Sequence, residues 1–469
     1  MINIQARALR DRGWLTLGPI VPAALAVLIA TTIVLAGSAG AIAWFAVLGV
    51  VAIAWTVGRP RALIAIALLY SASFGAITAV PALEGIRLGG TTVSGAGVGT
   101  TVILLVAALT LLSRADRQRV SGFLPFAAFW LLAFIQGVGA LYSPAPLEGA
   151  KQAVLIGVPL IIAAVTYDAV RAAPETQHAV QRYVLASATA LLVFLAVLAL
   201  TGALGVTDVG LGSSIGARSI AFFALPTLSL SLAMWRHGRD AREKLHGKWY
   251  SLVLLLVVVA TLSRTATAVA LGMLLPLRLI GAGWRRGIVA LVVGILLFFG
   301  AFQFIAPFGR RFFLDRPGSL RDLVVADGLN TMGRSTMWAI TWSAAQDRIV
   351  LGHGTGAARL LMQATVELEH PHNDYLKVLY DSGAIGVTAL VIGLLMALAR
   401  HGRDWKDAER RGQQESAKYH MAAFFAAISF AACLFTDNVL VYTFVTIPTF
   451  VLLALSVARE TKLRHPSTV

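Results

Sequence analysis

Long hydrophobic runs separated by short polar segments dominate the chain from end to end. A helix needs about 20 apolar residues to cross the hydrocarbon core of a bilayer, and fourteen runs approach that length. The pattern therefore predicts membrane-spanning helices, with boundaries soft by a few residues. The predicted spans are residues 19–36, 39–57, 62–80, 93–113, 122–142, 152–167, 183–203, 219–235, 249–263, 265–280, 287–305, 376–399, 421–436 and 444–458.

Composition supports this interpretation. Of the 469 residues, 58% are hydrophobic and 13% are charged, whereas soluble proteins average about 45–50% and 25%. We therefore predict an all-α polytopic membrane protein with about 12–14 transmembrane helices. A soluble enzyme, a nucleic-acid module and a secreted disulfide scaffold are excluded. The single cysteine, Cys433, allows neither a disulfide nor a cysteine-based zinc site within the chain.

The basic residues are distributed unevenly between alternate loops. If the N-terminus is cytoplasmic, 27 of the 39 Lys and Arg residues lie in cytoplasmic segments. The positive-inside rule then predicts that both termini are cytoplasmic. The net charge of +16 is thereby explained by topology rather than by a nucleic-acid partner.

The spans divide the chain into four predicted regions. Residues 1–218 form the N-terminal transmembrane helices, and 219–305 form further spans that include a hairpin. Residues 306–375 form one large outer loop with short amphipathic helices, and 376–469 form the last spans and a cytoplasmic tail. Most other connections are short, so the loop is the obvious place for a site outside the membrane.

The hairpin has one charged residue at its tip. Residues 249–280 are apolar except at Leu262-Ser263-Arg264-Thr265, and both flanks are basic and predicted to be cytoplasmic. The tip should therefore reach the outer surface. Arg264 either anchors the hairpin at the interface or directs its guanidinium at an anionic headgroup, because its planar fork matches phosphate oxygens.

The outer loop contains an amphipathic helix and a glycine-rich turn. Residues 333–347 place Arg334, Trp338 and Trp342 one turn apart on one face, and aromatic residues favour a membrane interface. Arg334 is then either a surface residue or a phosphate ligand. The glycines of LGHGTGA, residues 351–357, permit a turn that could direct N–H groups at a phosphate.

The segment EHPHND precedes the next span. His370, His372 and Asp374 alternate, so an extended chain would place them on one face like metal ligands. The alternatives are a single imidazole that acts as a base or an orienting group, and a structural helix cap. Lys377 and Asp381 are four residues apart and should form an ion pair on the following helix.

Three segments together resemble the O-antigen ligase/polymerase superfamily. They are LSRTATA at 262–268, GRSTMW with LGHGTG at 333–356, and HPHNDYLKVLYDSGAIG at 370–386. The similarity extends over about residues 220–450 and includes TDNVLVY at 436–442. The combination of an SR at a hairpin tip, a GR-x-x-x-W helix, a G-H-G turn and an H-N-x-x-L is specific, although each piece alone is weak.

The resemblance implies a membrane-embedded, GT-C-like glycosyltransferase that uses no metal and no cofactor. It implies His372 as the catalytic histidine and Arg264 and Arg334 as ligands of the donor diphosphate. Supporting residues could include Ser263, Arg218, Gly352, His353, Gly354, Glu369, His370, Asn373 and Asp374. Glu369 or Asp374 is an alternative base, with His372 as the orienting group.

The implied donor is an undecaprenyl-diphosphate-linked glycan and the implied acceptor is lipid A-core, at the periplasmic face of the bacterial inner membrane. Membrane lipids surround the site, and no nucleic acid is involved. A polymerase that joins two lipid-linked glycans, and relatives that glycosylate proteins, share these motifs. A transporter should instead carry charges at mid-span, whereas the predicted spans are almost free of charge.

Overall fold

A computed structural model describes a bundle of helices with two short β-hairpins. The described residues are 58–78, 86–88, 91–93, 95–113, 126–200, 205–207, 210–212, 217–279 and 333–464, with the single positions 56, 292, 296 and 300. The helices are α1 (Pro60–Thr78), α2 (Gly95–Ser113), α3 (Ala127–Leu141), α4 (Pro146–Ala172), α5 (Thr176–Leu200), α6 (Ala217–His237), α7 (Ala241–Ala260), α8 (Arg264–Leu279), α9 (Arg334–Ala345), α10 (Ala357–Val366), α11 (Asp374–Arg410), α12 (Gln414–Leu434) and α13 (Thr443–Arg464).

The small elements lie between the helices. Strands β1 (Ile86–Leu88) and β2 (Thr91–Val93) pair antiparallel, as do β3 (Gly205–Thr207) and β4 (Gly210–Gly212). Single 3₁₀ turns follow α9, at Gln346–Arg348, and precede α13, at Val439–Val441. With only three residues in each strand, the fold is all-α.

Five described helices are long and apolar enough to cross a membrane: α4, α5, α11, α12 and the Ser219–His237 part of α6. Shorter apolar stretches occur in α1, α3 and α13. The chain is therefore a polytopic membrane protein, as its hydrophobic pattern predicts. Each predicted span from 62–80 to 265–280, and each from 376–399 onward, coincides with a helix. The spans 19–36, 39–57 and 287–305 lie largely outside the described residues.

Burial separates a central group of helices from the periphery. In the apolar stretches of α6 and α12, 83% and 78% of the residues are buried, whereas in that of α5 the share is 28%. The central helices carry small side chains and hydroxyls, such as Ser229, Ser231 and Ser429, whose Oγ atoms donate to carbonyls of the preceding turn. Small residues let helices approach closely within a bilayer.

Helix α11 contains a break in its first half, near the turn that holds His372. Gly383 has φ 66° and ψ −166° inside this 37-residue helix, a backbone conformation that is essentially restricted to glycine. A Cβ atom built at this position would lie 2.1 Å from the Val350 carbonyl oxygen. The break therefore lets the chain after α9 approach the backbone of α11, where the Ala384 N–H donates to Ile349 O at 2.7 Å.

Candidate active site

His372 lies just before α11 and meets a second polar segment of the chain. Its Nδ1 is 3.2 Å from Oδ1 of Asp437 and 3.3 Å from Nδ2 of Asn438. The His372 side chain is 25% exposed, whereas that of Asp437 is 2% exposed. A carboxylate only accepts hydrogen bonds and the Asn438 amide nitrogen only donates, so Nδ1 serves one of these two partners at a time; the bond to the charged Asp437 requires the tautomer with Nδ1–H. In that tautomer Nε2 keeps the lone pair that can take a proton.

The backbone of His372 has an uncommon conformation. Its φ is +52°, a value that costs a residue with a side chain about 1–3 kcal/mol and that concentrates at functional sites. The next two residues hold the turn in place. Asn373 is the N-cap of α11, and its Oδ1 accepts from the Leu376 N–H at 3.1 Å. Asp374 is fully buried, and its Oδ2 accepts from the Leu440 N–H at 2.8 Å.

Trp338 fixes the same segment from the side of α9. Its indole N–H donates to the carbonyl of Pro371 at 3.0 Å, and its ring packs edge-on against Phe435 with the centroids 5.4 Å apart. One side chain thus joins α9, the turn before His372 and the chain before Asp437. Trp342, one turn further along α9, is 50% exposed, as expected for an aromatic residue at an interface.

His370 and His372 face different surroundings. Burial lowers the pKa of His370 to about 3, and the positive charges of Lys377 and Arg359 act in the same direction. Its Nδ1 has no hydrogen-bond partner among the described residues. His370 is thus a neutral, enclosed ring, whereas His372 is partly exposed and paired with a carboxylate.

Of the three alternatives for the HPHND segment, the shared face of metal ligands is wrong. The positive φ of His372 breaks the extended path, and Asp374 turns to the Leu440 N–H. Among the described residues, the group of three side chains close enough to hold a metal ion lies elsewhere, at His401, Asp404 and His420. The predicted alternation therefore does not produce a shared face.

An ion-pair chain joins α10, α4 and the segment before His370. Arg359 on α10 donates through Nη1 to Glu148 on α4 at 2.8 Å, and through Nη2 to Glu369. Glu369 is therefore paired with the Arg359 guanidinium and exposed to solvent, which does not favour a role as a catalytic base. Asp374 is buried with Oδ2 bonded to the Leu440 N–H, whereas its Oδ1 has no hydrogen-bond partner among the described residues, so Asp374 stays an alternative base.

The glycine-rich turn is a backbone clamp, and our interpretation of its N–H groups as phosphate ligands is wrong. The N–H of Gly352 donates to Arg348 O, that of His353 to Tyr380 O, and that of Gly354 to Asp381 O, all at 2.8–2.9 Å. The His353 ring stacks on Tyr380 at 4.2 Å. Two of these N–H groups thus bind α11 and the third binds the 3₁₀ turn after α9, so none of them is available to a phosphate.

The same turn also hydrogen-bonds to α3 and packs closely against the connection between α3 and α4. Thr355 donates through Oγ1 to Gln136 O at 2.6 Å and through N–H to Gly139 O at 3.2 Å. A Cβ at Gly354 would lie 2.5 Å from the Cα of Ser143. The clamp thereby joins α11 to α3 and α4.

Arg264 and Arg334 begin two other helices. The hairpin of α7 and α8 turns at Thr261–Ser263, where Leu262 has φ +52°, and Arg264 is the first residue of α8. Arg334 is the first residue of α9, after Gly333 with φ +76°. Ser263 is buried and both arginines are partly buried. The predicted hairpin and the predicted amphipathic helix are both present.

Arg264 and Arg334 lie on helices that pack against the two helices next to the His372 segment. Helix α8 packs against α12, whose end leads to Asp437, and α9 packs against α11. Arg218 belongs to α6, but its side chain lies outside the described residues.

The direct contacts of His372, with Asp437 and Asn438, come from a segment that sequence reasoning did not assign to the site. Its signal was the polar Thr436-Asp437-Asn438 between two apolar runs.

A comparison with protein-family models finds a match over the middle of the chain. The model described as O-Antigen ligase matches residues 249–391, which run from within α7 to the middle of α11. All three motif segments lie within this range, so the resemblance to the O-antigen ligase superfamily is confirmed there. A search of curated proteins found no match.

Proposed function

We propose that the protein transfers a glycan from a lipid diphosphate to an acceptor hydroxyl at the outer face of the membrane. The observation that carries the proposal is the partly exposed His372, backed by a buried carboxylate at 3.2 Å, within a segment similar to O-antigen ligases. The donor is an undecaprenyl-diphosphate-linked glycan and the acceptor is lipid A-core, on the periplasmic side of the bacterial inner membrane.

In this reaction the acceptor oxygen attacks the anomeric carbon of the donor sugar. The new C–O bond forms as the bond from that carbon to the diphosphate oxygen breaks, and the diphosphate leaves with the electron pair. Nε2 of His372 takes the acceptor proton, while Asp437 stabilises the resulting imidazolium. Arg264 and Arg334 stabilise the negative charge that develops on the leaving diphosphate.

The test separates histidine chemistry from structure. In purified, folded protein, His372→Ala should lower turnover about 100-fold or more and leave donor binding nearly intact, because the arginines hold the diphosphate. Asp437→Asn should also lower turnover with little effect on donor binding, because it removes the charge that stabilises the imidazolium. His370→Ala is the matched control and should have a much smaller effect on turnover. Equal and mild effects of both histidine substitutions would remove histidine from the mechanism.

The nature of the acceptor needs a second measurement. Deletion of the gene should prevent attachment of polymer to lipid A-core while lipid-linked polymer retains its length. Short lipid-linked glycan with no polymer would identify a polymerase instead. The transfer step itself should persist in EDTA, because the two arginines supply the positive charge. Activity that disappears in EDTA and returns with one specific cation would contradict a metal-independent mechanism.

A further inference from the structure

The first half of α7 presents a basic surface that plays no part in the transfer reaction proposed above. Its cations Arg242, Lys244 and Lys248 are exposed, and Leu245 and Trp249 between them are 52% and 58% exposed. Leu245 and Trp249 are one helical turn apart, with Arg242 on one side of them and the two lysines on the other. These five side chains therefore share one outward surface, the α7 basic face.

The α7 basic face lies level with one end of a membrane-spanning helix. Helix α7 follows the Ser219–His237 span of α6 after residues 238–240 and packs along it. A Cβ atom built at Gly247 would lie 2.4 Å from the backbone nitrogen of Trp235, so this part of α7 is held tightly against the last turn of the span. The face is thereby placed at headgroup level.

The second half of α7 shows what surrounds the helix. Leu252, Leu256 and Val259 continue the outward side as an apolar stripe, with Leu256 69% exposed. Apolar side chains on the outside of a membrane-spanning bundle contact lipid tails. The α7 basic face therefore meets the headgroups of the lipids whose tails cover this stripe.

The α7 basic face is remote from the candidate active site. Helix α7 has 20 residues and is about 30 Å long, close to the thickness of the hydrocarbon core. Arg264, just beyond the other end of α7, therefore lies near the opposite membrane surface. An anion bound at the α7 basic face is thus distinct from the donor diphosphate.

The acidic groups closest in sequence to the α7 basic face already have partners. Glu243, on the buried side of α7, binds Lys418 Nζ at 2.7 Å and Arg239 Nε at 3.1 Å. Asp240 Oδ1 accepts from the Glu243 N–H at 2.7 Å. Within the part of the chain that the structure describes, no carboxylate forms an ion pair with the three cations of the face. Their positive charge is therefore available to an external anion.

The side chains of the α7 basic face fit the phosphate of an anionic lipid. Lys244 and Lys248 are four residues apart, so their like charges repel on the helix surface, and a phosphate between them would remove that repulsion. Arg242 can bind phosphate oxygens with its planar fork, and Trp249 favours the headgroup level. A soluble polyanion would leave the apolar groups of the face unused, whereas a lipid contacts both kinds of group.

We propose that the α7 basic face binds headgroups of anionic phospholipids in the leaflet opposite to Arg264. The bound lipids hold the start of α7 against the end of α6. Anionic lipid should therefore raise the melting temperature of the protein, and added salt should weaken this effect because it screens exposed charges.

Lipid binding to the full chain tests the proposal directly. The protein should be delipidated in a neutral detergent and titrated with phosphatidylglycerol or with zwitterionic phosphatidylcholine, and bound lipid should be counted by native mass spectrometry. The parent should retain phosphatidylglycerol in preference to phosphatidylcholine. Replacing a lysine of the face by glutamine should weaken phosphatidylglycerol binding about fivefold, and the double variant Lys244→Gln/Lys248→Gln correspondingly more.

The matched control is Arg410→Gln, at the same end of the bundle. Arg410 is also an exposed cation, but it has a carboxylate partner in Asp407 at 3.6 Å. Its replacement should leave phosphatidylglycerol affinity unchanged. Both measurements are independent of glycan transfer, so they test the lipid site without reference to the proposed reaction.

Three outcomes would overturn the proposal. The first is equal retention of phosphatidylglycerol and phosphatidylcholine by the parent, a result that does not depend on the folding of any variant. The second is parental phosphatidylglycerol affinity in the folded double variant. The third is a rise in melting temperature with inorganic phosphate alone that equals the rise with phosphatidylglycerol, because the ligand would then be a free anion rather than a lipid.

Discussion

The replacement Lys377→Met tests the energetics of the first half of α11. Lys377 and Asp381 are both fully buried, and Lys377 Nζ donates to Asp381 Oδ2 at 2.7 Å and to Gln152 Oε1 at 2.5 Å. Methionine matches the aliphatic stem but leaves the Asp381 carboxylate buried without its cation. Removing one partner of a buried ion pair costs about 3–5 kcal/mol, so the variant should be strongly destabilised.

A second substitution makes the charge argument specific. Asp381 Oδ1 also accepts from the Ala358 N–H at 2.8 Å, and asparagine retains that acceptor without the negative charge. The double variant Lys377→Met/Asp381→Asn should therefore be more stable than Lys377→Met alone, by about 2 kcal/mol or more, because no uncompensated charge stays buried. A simple loss of packing would make the double variant the less stable one.

The assay is unfolding of the detergent-solubilised protein, followed by denaturant or by apparent melting temperature where unfolding is irreversible. Lys406→Met is the matched control, since Lys406 lies on the exposed part of the same helix and its loss should change stability by less than about 0.5 kcal/mol. The reasoning is refuted if Lys377→Met is as stable as the parent, or if adding Asp381→Asn lowers stability further.

Three more predictions concern the backbone, the donor and pH. Gly383→Ala should lose about 3 kcal/mol or more of stability, because its Cβ would lie 2.1 Å from a carbonyl oxygen at a positive φ, whereas Gly157→Ala, with open space around its Cβ, should be neutral or slightly stabilising in the same melts. Arg264→Lys and Arg334→Lys should each lower the transfer rate about 10–100-fold through loss of bidentate phosphate contact, and parental rates in both variants would discard the donor assignment. Burial lowers the pKa of His370 to about 3. Below about pH 6.5 His370 is therefore protonated in the unfolded chain but stays neutral in the folded protein. The free energy of unfolding should therefore fall by up to about 2 kcal/mol between pH 6.5 and 5. In His370→Asn this part of the pH dependence of the unfolding midpoint should be absent.

Sequence reasoning succeeds where one local periodicity decides the structure. The spacing of Lys377 and Asp381 fixes their pairing, since residues four apart meet on any α-helix. The hairpin with Arg264 at its turn follows from two apolar runs with basic flanks, and α9 follows from the spacing of its tryptophans. These features need no knowledge of distant contacts.

The contacts of the candidate site depend on residues far apart in the chain. Asp437 is 65 positions from His372, and only the packing of α11 against α12 brings them together. The glycine-rich turn was misjudged for the same reason, because the N–H groups of His353, Gly354 and Thr355 donate to carbonyls of α11 and α3. A turn considered in isolation has unpaired N–H groups, whereas in the folded protein these groups donate to backbone carbonyls.

The clamp of the glycine-rich turn also sets an order of assembly during biosynthesis. Thr355 bonds to Gln136, 219 residues earlier, and the N–H groups of His353 and Gly354 donate to the carbonyls of Tyr380 and Asp381, which are synthesised later. The turn therefore docks only after the ribosome has delivered the first half of α11 and the membrane has accepted it. Until then the turn at residues 351–357 has not made its final contacts and stays accessible to proteases and chaperones. Nascent chains that stop before residue 380 should be degraded, whereas those that extend beyond α11 should resist proteolysis in that segment.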